Sequence, residues 1–112
     1  MIENVTLIIP SQNAEMKLIM LLRDISNWEV MPNEIIIVDS SDIKLHAPKD
    51  LLDIFTSLNI ALKIVYGSNI YPGHARNIGI KNSTNSILAF LDTSTFPSQK
   101  WLGSGLKLIN SN

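Results

Sequence analysis

Three short buried-type runs, Val5 to Ile9, Glu34 to Val38 and Ile87 to Leu91, each stop abruptly, at Pro10, at Asp39 and at Asp92. Unbroken, β-branched runs of this length are how strands covered on both faces look in a parallel sheet. Between them lie segments of helical period. Leu18, Leu21, Leu22 and Ile25 fall at i, i+3, i+4 and i+7, one face of an α-helix, with Asn13 as its expected N-cap. Met31, Pro32 and Asn33 interrupt the pattern before the second strand. Strand, helix, strand makes a βαβ unit.

The alternation continues. Pro48 can open a second helix carrying Leu51, Leu52, Phe55 and Leu58. Ile60, Leu62, Ile64 and Tyr66 alternate with Ala61, Lys63 and Val65, which predicts a strand with one better-buried face, ended by Gly67 and Ser68. Ala75, Ile78 and Gly79 mark a third helix, and Pro97 opens a last one with Leu102, Leu106 and Ile109. The expected fold class is therefore α/β: a three-layer, Rossmann-like, mainly parallel sheet with helices on both faces. In such sheets ligands bind outside the carboxyl ends of the strands. Those ends are Pro10 to Asn13, Asp39 to Asp42, Tyr66 to Asn69 and Asp92 to Thr95, where most unusual polar residues gather.

With 112 residues the chain reads as one domain or a piece of one. Nine basic and ten acidic residues, interspersed, leave no basic stripe for a phosphate backbone, so nucleic acid is not an expected partner. There is no cysteine, hence no disulfide framework and no thiolate metal site. No apolar run approaches the roughly 20 residues of a membrane span. MIENVTLIIP lacks the basic start of a secretion signal, and the expectation is a cytoplasmic chain, at the membrane face only through regions outside it.

Four segments in order resemble one family. VTLIIPSQN resembles the opening strand and loop of family-2 glycosyltransferases, usually Pro-Thr-Tyr-Asn or close to it. EIIIVDSS resembles their second strand with its Asp-containing turn. PGHARNIGI resembles their Gly-x-x-x-Ala-Arg-Asn-x-Gly-Ile segment, and ILAFLDTSTFP with Trp101 and Leu102 resembles the strand carrying the Asp-x-Asp metal motif and the Pro-x-x-x-Trp-Leu after it. The resemblance implies the GT-A fold and a nucleotide-diphosphate sugar, a UDP-, GDP- or dTDP-sugar, lying across the strand ends. It implies inverting transfer to an acceptor the chain does not define, and relatives serve cell-surface polysaccharide synthesis.

Carried onto this sequence, the resemblance puts Pro10, Gln12, Asn13, Asp39, Ser40, Gly73, Arg76 and Asp92 at the nucleotide sugar, with Asp92 and Ser94 at a divalent metal, Mg²⁺ or Mn²⁺. Asp39 would accept hydrogen bonds from a base; the other reading is an Asx-turn residue. Ser40 stands where many relatives carry a second Asp. Arg76 and Asn77, in the first turn of the third helix, suit a diphosphate through the guanidinium and the helix N-terminus; the other reading is a surface arginine paired with an acid. Gly73 would let the backbone approach a ligand closely, or would serve a turn. His74 reads as a loop or cap residue. Asp92 could hold the metal against the phosphates, or cap the Thr-Ser-Thr turn. Ser94 occupies the place of the motif's second Asp, and a neutral hydroxyl is a weaker ligand for a hard divalent cation. Trp28 and Trp101 read as packing residues, and Glu15, Glu29, Glu34, Asp42, Asp50 and Asp53 as solvated faces or caps.

The general base an inverting transfer needs is not found among these motifs. Residues 1–112 thus read as the nucleotide-diphospho-sugar-binding half of a glycosyltransferase, inactive alone: an excised domain, a truncated product or half of a split enzyme, partnered by the remainder or another subunit. The alternative is a degenerate, non-catalytic scaffold or regulatory domain, motivated by Ser94. A nucleotidylyltransferase would want a Gly-rich basic loop where PSQNAEM stands. A response regulator would want paired acids after the first strand and a lysine after the last, neither of which is there.

Overall fold

A computed structural model describes residues 1–68 and 70–110; Asn69, expected at a strand end, lies outside the described residues. Four strands, β1 (Ile2–Ser11), β2 (Met31–Asp39), β3 (Ala61–Tyr66) and β4 (Leu88–Phe90), form one sheet in the order β3-β2-β1-β4. All three pairings are parallel, as the βαβ alternation requires. The helices are α1 (Glu15–Ile25), α2 (Lys49–Ser57), α3 (Pro72–Asn82) and α4 (Trp101–Asn110).

Strand alternation divides the apolar side chains between two faces. Leu7, Ile9, Ile35 and Ile37 point to one face, where α1 contributes Leu18, Leu21, Leu22 and Ile25, α2 Leu51 and Phe55, and α4 Leu102. Ile36 and Val38 point to the other and meet Ala75 of α3. The result is the expected three layers, with the larger core under α1, α2 and α4. A Cβ on Gly79 would lie 2.4 Å from Ile8 Cγ2, so only glycine lets α3 settle this close to β1. Trp28 and Trp101 stack obliquely, ring centroids 5.6 Å apart, joining α4 to the end of α1.

Several boundaries differ from the sequence reading. Met31, Pro32 and Asn33 belong to β2, not to a break. Ile2 pairs with Met31 and Glu3 with Pro32, but Thr6 pairs with Glu34, so β1 carries one extra residue there. The missing proline N–H falls where the ladder is already irregular, at the start of the strand, which is where a sheet tolerates it. β3 lies at the sheet edge, and Leu62, Lys63, Ile64 and Val65 are all half-buried, so no face is distinctly better covered. β4 is shorter than expected and also an edge strand, with Phe90 exposed. Pro97 does not open α4: a turn intervenes, closed by the Trp101 N–H donating to the Ser98 carbonyl at 3.0 Å.

Glu34 corrects the sequence reading most clearly. It is not a solvated residue; it is buried, 3% exposed. Thr6 Oγ1 (2.6 Å) and the Thr84 N–H (2.8 Å) donate to its Oε1, and Lys63 Nζ (2.6 Å) and Thr84 Oγ1 (3.2 Å) to its Oε2. Asn85 Nδ2 adds bonds to Thr6 Oγ1 and Asn33 Oδ1. This clasp ties β1, β2, β3 and the loop between α3 and β4 together at the amino-terminal side of the sheet. Burial alone would raise the carboxyl's pKa, but the hydrogen bonds from Lys63, Thr6 and Thr84, with the lysine charge, outweigh it and lower it from 4.5 to about 2.

Candidate functional site

Consecutive strands run β1, β2, β3 outward in one direction, and the chain then crosses by α3 to place β4 on the far side of β1. The order therefore reverses between β1 and β4, and a crevice opens at the carboxyl ends of strands at such a switch point. A cleft of about 210 Å³ lies there, lined from β1 by Pro10, Ser11 and Gln12, from β2 by Ser40, and from β4 by Asp92. Arg76 of α3 lines it too. Ala75 presents the small side chain that keeps the cleft open on the α3 side.

A larger groove of about 770 Å³ adjoins it, sharing Gln12, Asp92 and Thr93, and extends over Asn13, Asp42 and Ser94. A third cleft, at the end of β2 and β3, is bounded by Asp39, Ser41, Lys44, Tyr66 and Gly67. Of the residues expected at a nucleotide sugar, Pro10, Gln12, Ser40, Arg76 and Asp92 thus share one cleft, Asn13 and Ser94 line the groove beside it, and Asp39 lines the third. Gly73 lines none of the three, and its φ is not positive, so no left-handed turn requires a glycine there.

Asn13 is not the N-cap of α1. Ala14 holds that position without a side-chain cap, and Asn13 instead takes φ 49°, the left-handed region that asparagine tolerates better than most residues. Its N–H donates to Ser41 Oγ (2.8 Å), its Oδ1 accepts the Asp42 N–H (3.0 Å), and its Nδ2 donates to Asp42 Oδ2 (3.3 Å). The loop after β1 is thereby fastened to the loop after β2, which sets the width of the groove between them.

Arg76 sits just beyond the first turn of α3, and no ion pair or hydrogen bond of its side chain is found among the described residues. A guanidinium in the cleft wall with no protein partner keeps its forked donors available to an anion. Asp92 is exposed; its Oδ1 accepts the Ser94 N–H at 3.2 Å and its carbonyl the Thr95 N–H at 3.0 Å, so it caps the turn with one oxygen and has the other to spend. No group of three His, Cys, Asp or Glu side chains that could hold a metal occurs among the described residues. One carboxyl and the Ser94 hydroxyl are a poor cage for a resident ion, but they suit a cation that brings phosphate oxygens as its remaining ligands.

Ser11, Ser41 and Thr93 were not singled out from sequence. Ser11 is register partner of Asp39, 5% exposed, and its hydroxyl has no partner among the described residues. The signal was available: in VTLIIPS, residue 11 falls on the same strand face as Leu7 and Ile9, where a hydroxyl must find a donor or acceptor.

The sequence model of the family described as "Glycosyl transferase family 2" matches residues 6–112. The chain belongs to glycosyltransferase family 2. Among solved structures it is similar to TarS of S. aureus, at 21% identity and TM-score 0.71 over 97% of this chain and 20% of that one. The 1–349 form of TarS in complex with UDP-GlcNAc gives 21% identity and TM-score 0.70 over 97% of this chain and 32% of that one. Mannosyltransferase PcManGT from Pyrobaculum calidifontis, in complex with GDP-Man and Mn²⁺, gives 20% identity and TM-score 0.70 over 93% and 31%. The chain thus spans between a fifth and a third of these solved relatives, and the likeness establishes a GT-A fold. No curated protein matches it. No described helix is long and apolar enough to cross a membrane.

Proposed function

We propose that this glycosyltransferase-family chain binds a nucleotide-diphosphate sugar in the cleft between the ends of β1 and β4, as the donor half of an inverting transferase. The observation that carries the reading is the convergence of Gln12, Ser40, unpaired Arg76 and half-spent Asp92 on one cleft at the topological switch point. Arg76 holds the diphosphate, and charge that develops on it as the sugar leaves is stabilised where the guanidinium already stands. The free oxygen of Asp92 faces the ribose or phosphate end of the donor, and Asp39 meets the base in the adjoining cleft. A divalent cation, when bound with the diphosphate, would be held by Asp92 and Ser94 and would neutralise charge on the leaving group. The groove over Asn13, Asp42 and Ser94 takes the sugar side.

Asp92 is the one carboxyl in the central cleft and is committed to the donor, so the deprotonation of an acceptor hydroxyl falls to a group outside that cleft. These residues alone should bind donor and transfer no sugar. Ser94 favours a second reading, a non-catalytic scaffold without metal dependence.

Isothermal calorimetry with UDP and GDP, with and without Mn²⁺, beside Asp92→Ala and Ser94→Asp, tests both. Binding that Mn²⁺ strengthens and Asp92→Ala abolishes supports the donor site. A folded chain that binds neither nucleotide, and gains nothing from Ser94→Asp, supports the scaffold.

A further inference from the structure

The β4 edge carries an apolar face that the donor site does not use. The Thr6 N–H donates to the Ile87 carbonyl at 3.0 Å and the Leu91 N–H to the Ile8 carbonyl at 3.1 Å, so residues 87, 89 and 91 turn their backbone groups toward β1. By strand alternation Leu88 and Phe90 turn theirs outward, and no strand pairs with them among the described residues. Beside this edge a groove of about 320 Å³ runs between β4 and α4, with Leu88, Ala89, Phe90, Gly105, Leu106 and Ile109 in its lining. No charged side chain lines it. Lysine or proline commonly guards an open edge. The opposite edge strand, β3, carries Lys63, whereas Leu88, Ala89 and Phe90 include neither residue type.

Gly105 supplies a second, independent observation. A Cβ on Gly103 would lie 3.1 Å from Val30 Cγ2, so that glycine is accounted for within the chain. A Cβ on Gly105 would meet nothing within 4 Å, although glycine inside a helix is costlier than alanine. Gly105 lines the same groove. A glycine there is accounted for when another backbone comes close to α4 from outside.

We propose that a second copy of this chain seats on this face, in an isologous dimer across a two-fold axis normal to the sheet. The edge calls for a partner strand, because outward N–H and C=O groups in apolar surroundings need hydrogen bonds. An uncharged face offers a charged partner nothing to pair with, but it meets its own copy without like-charge repulsion. The register is self-complementary. With Ala89 on the axis, Leu88 exchanges both its backbone bonds with Phe90 of the second copy, and Phe90 with its Leu88. Such an axis keeps each sheet face on its own side, so the two α4 helices meet over the joined β4 strands with Gly105 at their approach. Antiparallel pairing sends the two donor clefts to opposite ends of the joined sheet, leaving both open. A strand edge of 3 residues and one helix face bury an area at the small end of specific interfaces, so association is expected at roughly 1–100 μM.

The test is sedimentation equilibrium of the chain from low micromolar to millimolar concentration, beside Gly105→Gln and Phe90→Lys, with thermal unfolding followed at the dilute end. Average mass should rise with concentration from 12.5 kDa toward twice that value. Both variants should weaken association about tenfold or more. Gly105→Gln should at the same time keep or raise the thermal midpoint, because a side chain there meets nothing within one chain. If Phe90→Lys fails to fold, Gly105→Gln carries the test alone. A chain that stays at 12.5 kDa throughout overturns the proposal, and so does a dimer that both variants leave intact. A monomer whose Leu88 and Phe90 amides gain hydrogen-exchange protection only when a longer transferase polypeptide is added overturns the dimer and assigns the face to that polypeptide.

Discussion

Replacing Glu34 by Gln should destabilise the chain in a pH-dependent way. The amide keeps the shape but replaces one acceptor oxygen by a donor, which then faces Lys63 Nζ and Thr84 Oγ1 on one side or Thr6 Oγ1 and the Thr84 N–H on the other. The native carboxyl is held at about 2 against an ordinary 4.5. At about 1.4 kcal/mol per tenfold change in proton affinity, that gap corresponds to about 3 kcal/mol. Lys63 is 41% exposed, so water screens part of its attraction and the measured figure should fall nearer 2. The sign follows from the lowered folded value: the stabilisation is complete above pH 4.5 and is lost as pH falls through the interval down to about 2. Urea unfolding of both proteins at several values between pH 7 and pH 2 measures it, and the variant's deficit isolates Glu34 from the other carboxyls. A deficit of about 2–3 kcal/mol at pH 7 that shrinks below pH 4 is expected. A deficit under about 0.5 kcal/mol, or one that does not change with pH, would refute the reasoning.

Gly79→Ala pushes a methyl into Ile8 and should cost about 1–2 kcal/mol despite alanine's better helix propensity, measured as a lowered thermal midpoint. Asn13→Ala removes two side-chain links to Asp42 and places alanine at positive φ; a loss of about 1–2 kcal/mol in urea unfolding is expected, whereas Asn13→Gly should lose less because it relieves the backbone. Arg76→Ala should leave the unfolding midpoint unchanged, since its side chain has no described partner, while weakening UDP binding about tenfold or more in calorimetry.

The fold was legible because each element announced itself locally. EIIIV and VTLII allow little but buried strands, and the spacing of Leu18, Leu21, Leu22 and Ile25 allows little but a one-sided helix, so the parallel sheet followed from their order. The clasp around Glu34 was not legible, because its partners Thr6, Lys63 and Thr84 lie 28, 29 and 50 residues away and a strand's local pattern says nothing of them. Asn13 was misread for a related reason. Asparagine before a helix is a normal cap, and only the approach of Ser41 and Asp42 across the groove gives it another occupation. Of the site, the residues at strand ends were readable from the rule that ligands bind there. Which of them share a cleft depends on the crossover of α3, and Gly73, two residues before Ala75, which lines it, stays outside.

The location of the donor site is tested most directly by following backbone amide resonances of the ¹⁵N-labelled chain while UDP is added with Mg²⁺. Saturable shifts confined to Ser11, Gln12, Ser40, Ala75, Arg76, Asp92 and Thr93, with Asn33, Thr84 and Asn85 at the opposite end of the sheet unmoved, are the predicted result. Shifts centred on the β4 edge and α4, or no saturable shifts in a folded sample, would contradict it.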